Sequence, residues 1–263
     1  TLVPPGKLKN YIYIKHKYIY NNKIMSSIVD IRAVLDYITK VAYGLLSLPD
    51  PFENEIEKPR LVSIEGNIGA GKSTLVEQLK KRYKDRSDIV FLQEPVDIWE
   101  SIQQEGQSML ELFYGDQKKY SFAFQVLAFT TRLRLIRHEI KMAQANGVKT
   151  VVMERSLDAD RQIFAKMLHE DNMIEKCMYD IYQRMSDDAL AEYSSDGIIW
   201  LTTDPEECFR RIAKRGREGE DSIRLDYLQK CDMYHREWLG ADLGFAFIVE
   251  DEVDWEKMDT YLG

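Results

Sequence analysis

Cysteine is scarce in this chain of 263 residues, and the three present, Cys177, Cys208 and Cys231, are odd in number and far apart. They make no disulfide framework and no CxxC half-site for structural zinc, and they suit a reducing compartment. No stretch approaches the roughly 18 consecutive apolar residues of a membrane-crossing helix. Positive charge is in deficit: 36 Lys and Arg against 44 Asp and Glu leave a net charge of −8. That balance excludes a uniformly basic coat for nucleic acid. Internal repeats are missing, and low-complexity tracts too beyond the first residues. What is present, 44% hydrophobic and 30% charged residues, is enough to bury a core and excludes global disorder.

The charge is uneven. Residues 1–24 hold five lysines (Lys7, Lys9, Lys15, Lys17, Lys23) and no acidic residue. Taking those five from the total of −8 leaves −13 on the remainder. Rich in Lys, Tyr, Asn and Ile and followed by Met25, the head reads as sequence foreign to the native protein or as a mitochondrial presequence. Its lack of Arg and Ser counts against a presequence, and the lack of an apolar stretch counts against a secretory signal. The compartment expected is the cytoplasm, or the mitochondrion if the head is a presequence. Residues 25–59 form a separate unit. Ile28, Ile31, Leu35, Ile38, Ala42 and Leu45 repeat at helical spacing, and an acidic linker bounded by prolines runs to Pro59. The main domain spans residues 60–263.

Within it, five short apolar runs read as buried strands: 61–65, 89–92, 150–153, 198–201 and 245–249. Helical patterns lie between them, at 73–83, over most of 99–146, at 158–193, at 205–215 and at 225–239. Strands that are apolar throughout and alternate with helices predict an α/β fold, a five-stranded parallel sheet with helices on both faces.

Gly66-Asn67-Ile68-Gly69-Ala70-Gly71-Lys72-Ser73 fits G-x-x-x-x-G-K-[ST] and continues into Thr74. The glycines let the backbone curl so that its N–H groups face phosphate oxygens. Lys72 reaches the β- and γ-phosphates, and the Ser73 hydroxyl can ligate Mg²⁺. The following helix aims its positive end at the same anion. At average glycine usage a chance match in a chain of this length is on the order of one in a hundred. The motif predicts nucleoside triphosphate binding.

A phosphate loop alone does not separate kinases from GTPases or motors. No N-K-x-D stands here to read a guanine base, and no apolar strand closes in Asp-Glu. Instead the third strand closes in Glu154-Arg155-Ser156. Glu154, at a strand's carboxyl end, can hold Mg²⁺ through water, and Arg155 can neutralise charge on a moving phosphoryl group. Glu94 ends the second strand and can accept the proton of an attacking hydroxyl. Arg211 and Arg215 share a helix face, and Arg217 follows between Gly216 and Gly219. A cationic segment between glycines reads as a lid that closes over phosphates.

Together these residues resemble the deoxyribonucleoside kinase family, which includes deoxycytidine, deoxyguanosine and insect multisubstrate kinases. The likeness runs from about residue 60 to 239. It rests on the phosphate loop through Thr74, Glu94-Pro95-Val96 with Trp99, the stretch from Leu110 to Gln125, Glu154-Arg155-Ser156, and Arg215 to Glu220. The resemblance implies a P-loop kinase fold with a lid, Mg-ATP as phosphate donor, and a deoxynucleoside as acceptor. It implies that Glu94 is the general base for the 5′-hydroxyl, with Arg155 beside it and Glu154 at the Mg²⁺. Gln125 matches the glutamine that pairs with the base, and Tyr114 and Glu220 match the pair on the sugar 3′-hydroxyl. Trp99, Phe124 and Phe164 match aromatics around the base, and Arg211, Arg215 and Arg217 the lid arginines. A homodimer through helices within residues 110–146 is implied as well.

Arg132 lies two helical turns after Gln125, and Asp160 lies four residues after Ser156. In the family a charged pair there goes with purine or cytosine substrates, because it fills the space a thymine methyl needs. A structural ion pair is the other reading of the same two residues. Relatives often carry two adjacent acidic residues where this lid has Gly219-Glu220, so Glu220 alone is left for the sugar. The chain stops soon after Trp255, so the last helix is short or absent, and the adenine loop near residues 250–253 is undefined. Two alternatives remain. A nucleoside monophosphate kinase of the thymidylate type shares loop and lid, but Glu94 would repel its acceptor's phosphate. A non-catalytic nucleotide-binding protein would not need Lys72, Ser73, Glu94 and Arg155 together. Neither nucleic acid nor membrane is an expected partner.

Overall fold

The computed structural model describes residues 58–240, 246–250 and 252–263. The expectations for the basic head and for the helical spacing after Ser26 fall outside them, as does nearly all of the linker. In chain order the elements begin with β1 (Arg60–Gly66), α1 (Lys72–Arg82) and β2 (Ile89–Leu92). Next come α2 (Val96–Ser101), the hairpin of β3 (Gln103–Gln104) and β4 (Gln107–Ser108), α3 (Met109–Gly115) and α4 (Gln117–Asn146). After β5 (Thr150–Glu154) the chain runs through α5 (Leu157–Ala159), a π-helical stretch (Asp160–Ala165), α6 (Lys166–Glu170) and α7 (Lys176–Tyr193). It ends with β6 (Gly197–Leu201), α8 (Pro205–Arg215), a 3₁₀ turn (Glu220–Ser222), α9 (Leu225–Leu239), β7 (Ala246–Val249) and α10 (Trp255–Leu262).

Five of these strands form one parallel sheet in the order β2-β5-β1-β6-β7. Residue alternation gives β1 two different faces. Val62 and Ile64 pack with Leu75, Val76 and Leu79 of α1, Ile212 of α8 and Met258 of α10. Leu61 packs on the other side with Phe129, Ile136 and Ile140 of α4 and Tyr182 of α7. The expected α/β fold is therefore present, with helices on both faces. The chain leaves β1 toward β2 and leaves β5 toward β6, in opposite directions across the sheet. A crevice opens at the carboxyl ends of two neighbouring strands whose connections diverge in this way. The phosphate loop follows β1, and Glu154-Arg155 closes β5, so both flank that crevice.

The helical stretch expected over 99–146 is broken twice. Glu105 and Gly106 both adopt positive φ, 53° and 84°, and form the two-residue turn of the β3–β4 hairpin. Asp116 then separates α3 from α4; its side chain accepts from the Lys119 N–H and caps the longer helix. The pattern over 158–193 is likewise divided, by the turn around Asn172, which has φ 58°. The last helix is short, eight residues, and Met258 and Leu262 bury its inner face.

Candidate active site

A single long helix positions most of the acceptor side. On α4, Phe124, Gln125, Ala128 and Arg132 recur at one- and two-turn spacing, and all four line a cavity of about 1320 Å³. The opposite wall is the phosphate loop, from Ile68 to Thr74. Every residue expected at the site lines this cavity except Gly66 and Asn67, which lie behind the loop. Gly66 has φ 143°, and a Cβ there would meet the Leu201 carbonyl oxygen at 2.7 Å, so the loop needs glycine at its first position. The Asn67 amide donates to the Leu228 carbonyl at 2.8 Å and ties the loop to α9. Lys72 is buried, and its ammonium donates back to the carbonyls of Gly66 and Asn67 at 3.1 and 2.8 Å. Burial, then the nearby Arg155, pushes its pKa down to about 8, against the pull of Glu94 and Glu154.

Glu94 and two arginines form the centre. Its Oε1 accepts from Arg132 Nη2 at 2.9 Å and from Arg155 Nε at 3.2 Å. Burial works to raise the Glu94 pKa, but Arg155, Arg132 and Lys72 outweigh it and hold the carboxyl down at about 2. Glu94 is therefore a carboxylate at neutral pH. Arg132 also grips Asp160 through Nε at 2.9 Å and donates Nη1 to the Glu154 carbonyl at 2.9 Å. The two readings of Arg132 and Asp160 thus coexist: they are a buried ion pair, and they line the cavity. Arg155 has a left-handed backbone, φ 65°, a conformation that costs a non-glycine residue about 1–3 kcal/mol and that clusters at functional sites. Its guanidinium stacks on the Phe164 ring at 4.6 Å and donates to the Gly66 carbonyl at 3.2 Å. Phe164 reaches this point from the π-helical stretch, a local widening of the kind found at functional sites.

The aromatic wall is larger than expected. Trp99 meets Phe124 edge-on at 5.5 Å, and its indole N–H donates to Thr131 at 3.0 Å. Phe113 stacks on Phe124 at 4.5 Å, and Tyr227 meets Tyr114 edge-on at 6.3 Å. Both Phe113 and Tyr227 line the cavity, and both were missed as site residues. Phe113 lay within the family-like stretch 110–125, a signal that was there to use; Tyr227 had none, because its helix reads as ordinary. The Gln125 side chain is buried in this wall, with no hydrogen-bond partner for Oε1.

Across the cavity, Ser73 Oγ donates to Glu154 Oε1 at 2.6 Å. A hydroxyl and a carboxylate converging beside the phosphate loop are the hard oxygen donors that suit Mg²⁺. The residues expected to form a lid are engaged with protein groups. Arg215 and Arg217 both pair with the buried Glu220, and Arg211 donates to the Ala70 carbonyl at 3.0 Å.

Comparison with known proteins gives the family. The family model for deoxynucleoside kinases matches residues 62–259. A probable deoxycytidine kinase of fowlpox virus is 33% identical over 202 residues, covering 75% of this chain and 80% of that protein. A mitochondrial deoxyguanosine kinase of Xenopus laevis is 32% identical over 203 residues, 70% and 74% of the two chains. Mouse (Mus musculus) deoxycytidine kinase is 36% identical over 196 residues, 68% and 74%. With a phosphate loop facing a partly buried carboxylate and a family match over most of its length, the chain belongs to the deoxynucleoside kinases, enzymes that phosphorylate deoxynucleosides.

Proposed function

We propose that the protein transfers the γ-phosphoryl group of Mg-ATP to the 5′-hydroxyl of a deoxynucleoside, and that adenine, guanine or cytosine is accepted in preference to thymine. One juxtaposition carries this reading: Glu94, kept ionised by two buried arginines, shares a cavity with Lys72 and the phosphate loop. The attacking 5′-oxygen gives its proton to Glu94 as its bond to phosphorus forms and the bond to the ADP oxygen breaks. A carboxylate held near pKa 2 is a weak base. A loose phosphoryl-transfer transition state asks mainly for positioning and charge neutralisation, so a weak base suffices. Arg155 orients Glu94, and Lys72 with the loop N–H groups holds the phosphates. Ser73 and Glu154 would hold Mg²⁺, which supplies further neutralisation of phosphate charge when bound. The lid arginines 211, 215 and 217 exchange protein carbonyls and Glu220 for phosphate oxygens when the lid engages ATP.

On the acceptor side, the unpaired Gln125 amide oxygen supports bidentate reading of a base edge. Phe124, Phe164 and Trp99 enclose the base, and Tyr114 with Glu220 holds the 3′-hydroxyl. The Arg132–Asp160 pair takes the space of a thymine methyl. The relatives above are named for deoxycytidine and deoxyguanosine, which points the same way. Exposed Met178 and Ile181, one turn apart on α7, which packs against α4, support a homodimer through these helices. No helix among the described residues is long and apolar enough to cross a membrane. Three free cysteines suit a reducing compartment such as the cytoplasm.

Replacing Glu94 by Gln tests the reading. The account expects turnover to fall by about 10²–10⁴ while ATP affinity stays within a few-fold. Near-normal turnover would remove Glu94 as the base.

A further inference from the structure

Glu65 is the last side chain of β1 before the phosphate loop turns, and it is fully buried. It shares the β1 face of Leu61 and Ser63, turned toward α4 and away from α1. Neither carboxyl oxygen makes a hydrogen bond of good geometry, and the Ser63 and Ser156 hydroxyls are the neutral polar groups nearest to it. Burial raises its pKa, against the opposing pull of Arg155 and of the Ser156 and Ser63 hydroxyls beside it. From α9 comes His235, also buried; its Nδ1 sits 2.6 Å from the Cys231 carbonyl, and the ring also meets the Gly66 backbone. A carboxyl group so poorly satisfied at a buried position is expensive, and an apolar side chain of similar volume would fill it at less cost to stability. Packing alone does not account for glutamate here.

Arg155 shows what the carboxylate faces. Nε is taken by Glu94, Nη2 by the Gly66 carbonyl, and the face of the guanidinium by Phe164. Only Nη1 has no hydrogen-bond partner, and it lies 4.0 Å from Glu65 Oε2. The unpaired Nη1 and the Glu65 carboxyl thus face each other inside the protein. The backbone that carries Arg155 is in the left-handed region, so its side chain has to be held against local preference.

We propose that Glu65 is a positioning residue for phosphoryl transfer: it clamps Arg155 from behind, so that the guanidinium lies between two glutamates with Nε kept on Glu94. Glu65 touches neither substrate nor phosphate; it acts through Arg155. The inference rests on the role given above to Arg155. A clamp of this kind controls transition-state geometry more than ground-state binding, and misplacement of a catalytic group by about 1 Å can cost up to about a hundredfold in rate.

The test is steady-state kinetics of Glu65→Gln and Glu65→Asp, each made alone and in an Arg155→Lys background, with melting temperatures for all. Glu65→Gln should lower kcat by at least about tenfold, with both KM values within about threefold and melting within a few degrees of the parent. Glu65→Asp, which keeps the carboxyl group, should recover part of that loss. In the Arg155→Lys background, Glu65→Gln should cost less than about twofold, because the group it acts through is gone. A kcat for Glu65→Gln within about twofold of the parent overturns the proposal, as does an undiminished loss in the Arg155→Lys background. An aspartate no better than glutamine, or failure of both single variants to fold, would make Glu65 a purely structural residue and overturn it too. Full turnover by Arg155→Lys alone would instead sink the role of Arg155 itself.

Discussion

Lys72 and Glu94 share one electrostatic field and respond to it in opposite ways. Burial and Arg155 both press the lysine down, to about 8, while the cations around Glu94 overcome burial and hold it at about 2. Of these two groups, then, it is the phosphate-loop lysine that titrates nearer neutrality. The kcat/KM for ATP should fall as pH rises through about 8, and should show no fall through the ordinary carboxylate range near pH 4–5 on account of Glu94. The alkaline limb of kcat should lie higher, because bound phosphates favour the protonated lysine. A pH profile of both constants checks this; kcat/KM level beyond about pH 9.5 would contradict it. At this scale the sequence was informative about single residues and silent about their partners. Glu154 stood out because it closes a strand; Glu94, expected to end the second strand, lies two residues beyond it, since β2 stops at Leu92 and the chain turns toward Pro95. The Arg132–Glu94 bond joins a helix to a strand end 38 positions away, and no local pattern encodes it. Glu65 read only as the end of a strand, since a buried carboxylate and an exposed one look alike in sequence.

The lid illustrates the same point for elements. Helix α8 was legible to the residue: Asp204 caps it, Pro205 starts it, and Gly216 at φ 61° ends it. The reason for Gly219 was not legible. Its φ is 85°, and a Cβ there would lie 2.7 Å from Glu111 Cγ, on the helix that Ser108 and Glu111 open with a reciprocal cap. The departure from two adjacent acidic residues is therefore a seat for the lid turn on α3, with Glu220 held beside it. Substituting Gly219 by Ala combines backbone strain and a clash, and should cost about 1–3 kcal/mol. For a domain of this size that is a fall in Tm of roughly 3–10 °C, accompanied by weaker deoxynucleoside binding. A thermal melt reads it, and an unchanged Tm would contradict the close approach. Other elements escaped pattern reading for physical reasons. The β3–β4 hairpin offers only two residues per strand, too few to alternate, and the π-helical stretch has a periodicity too close to an α-helix to be distinguished.

For the whole molecule, five apolar runs were enough to predict a parallel sheet, but not its order. The order β2-β5-β1-β6-β7 is what sets β5 beside β1 and thereby puts Glu154 and Arg155 against the phosphate loop. The acidic net charge of −8 conceals a local mixture, with Lys72, Arg132, Arg155 and the arginines 211, 215 and 217 gathered around one cavity beside Glu94, Glu154, Asp160 and Glu220. Light scattering on a sizing column should give twice the chain mass, and introducing a charge at Ile181, which is 58% exposed, should shift the protein toward monomer; a monomer at micromolar concentration would remove the proposed α4–α7 interface. The central claim concerns what the cavity phosphorylates. The most direct measurement is ADP release with Mg-ATP and each of the four deoxynucleosides in turn, beside their 5′-monophosphates. The account predicts turnover with deoxyadenosine, deoxyguanosine or deoxycytidine well above thymidine and above any monophosphate. Thymidine as the best substrate, or a monophosphate phosphorylated faster than every nucleoside, would contradict it.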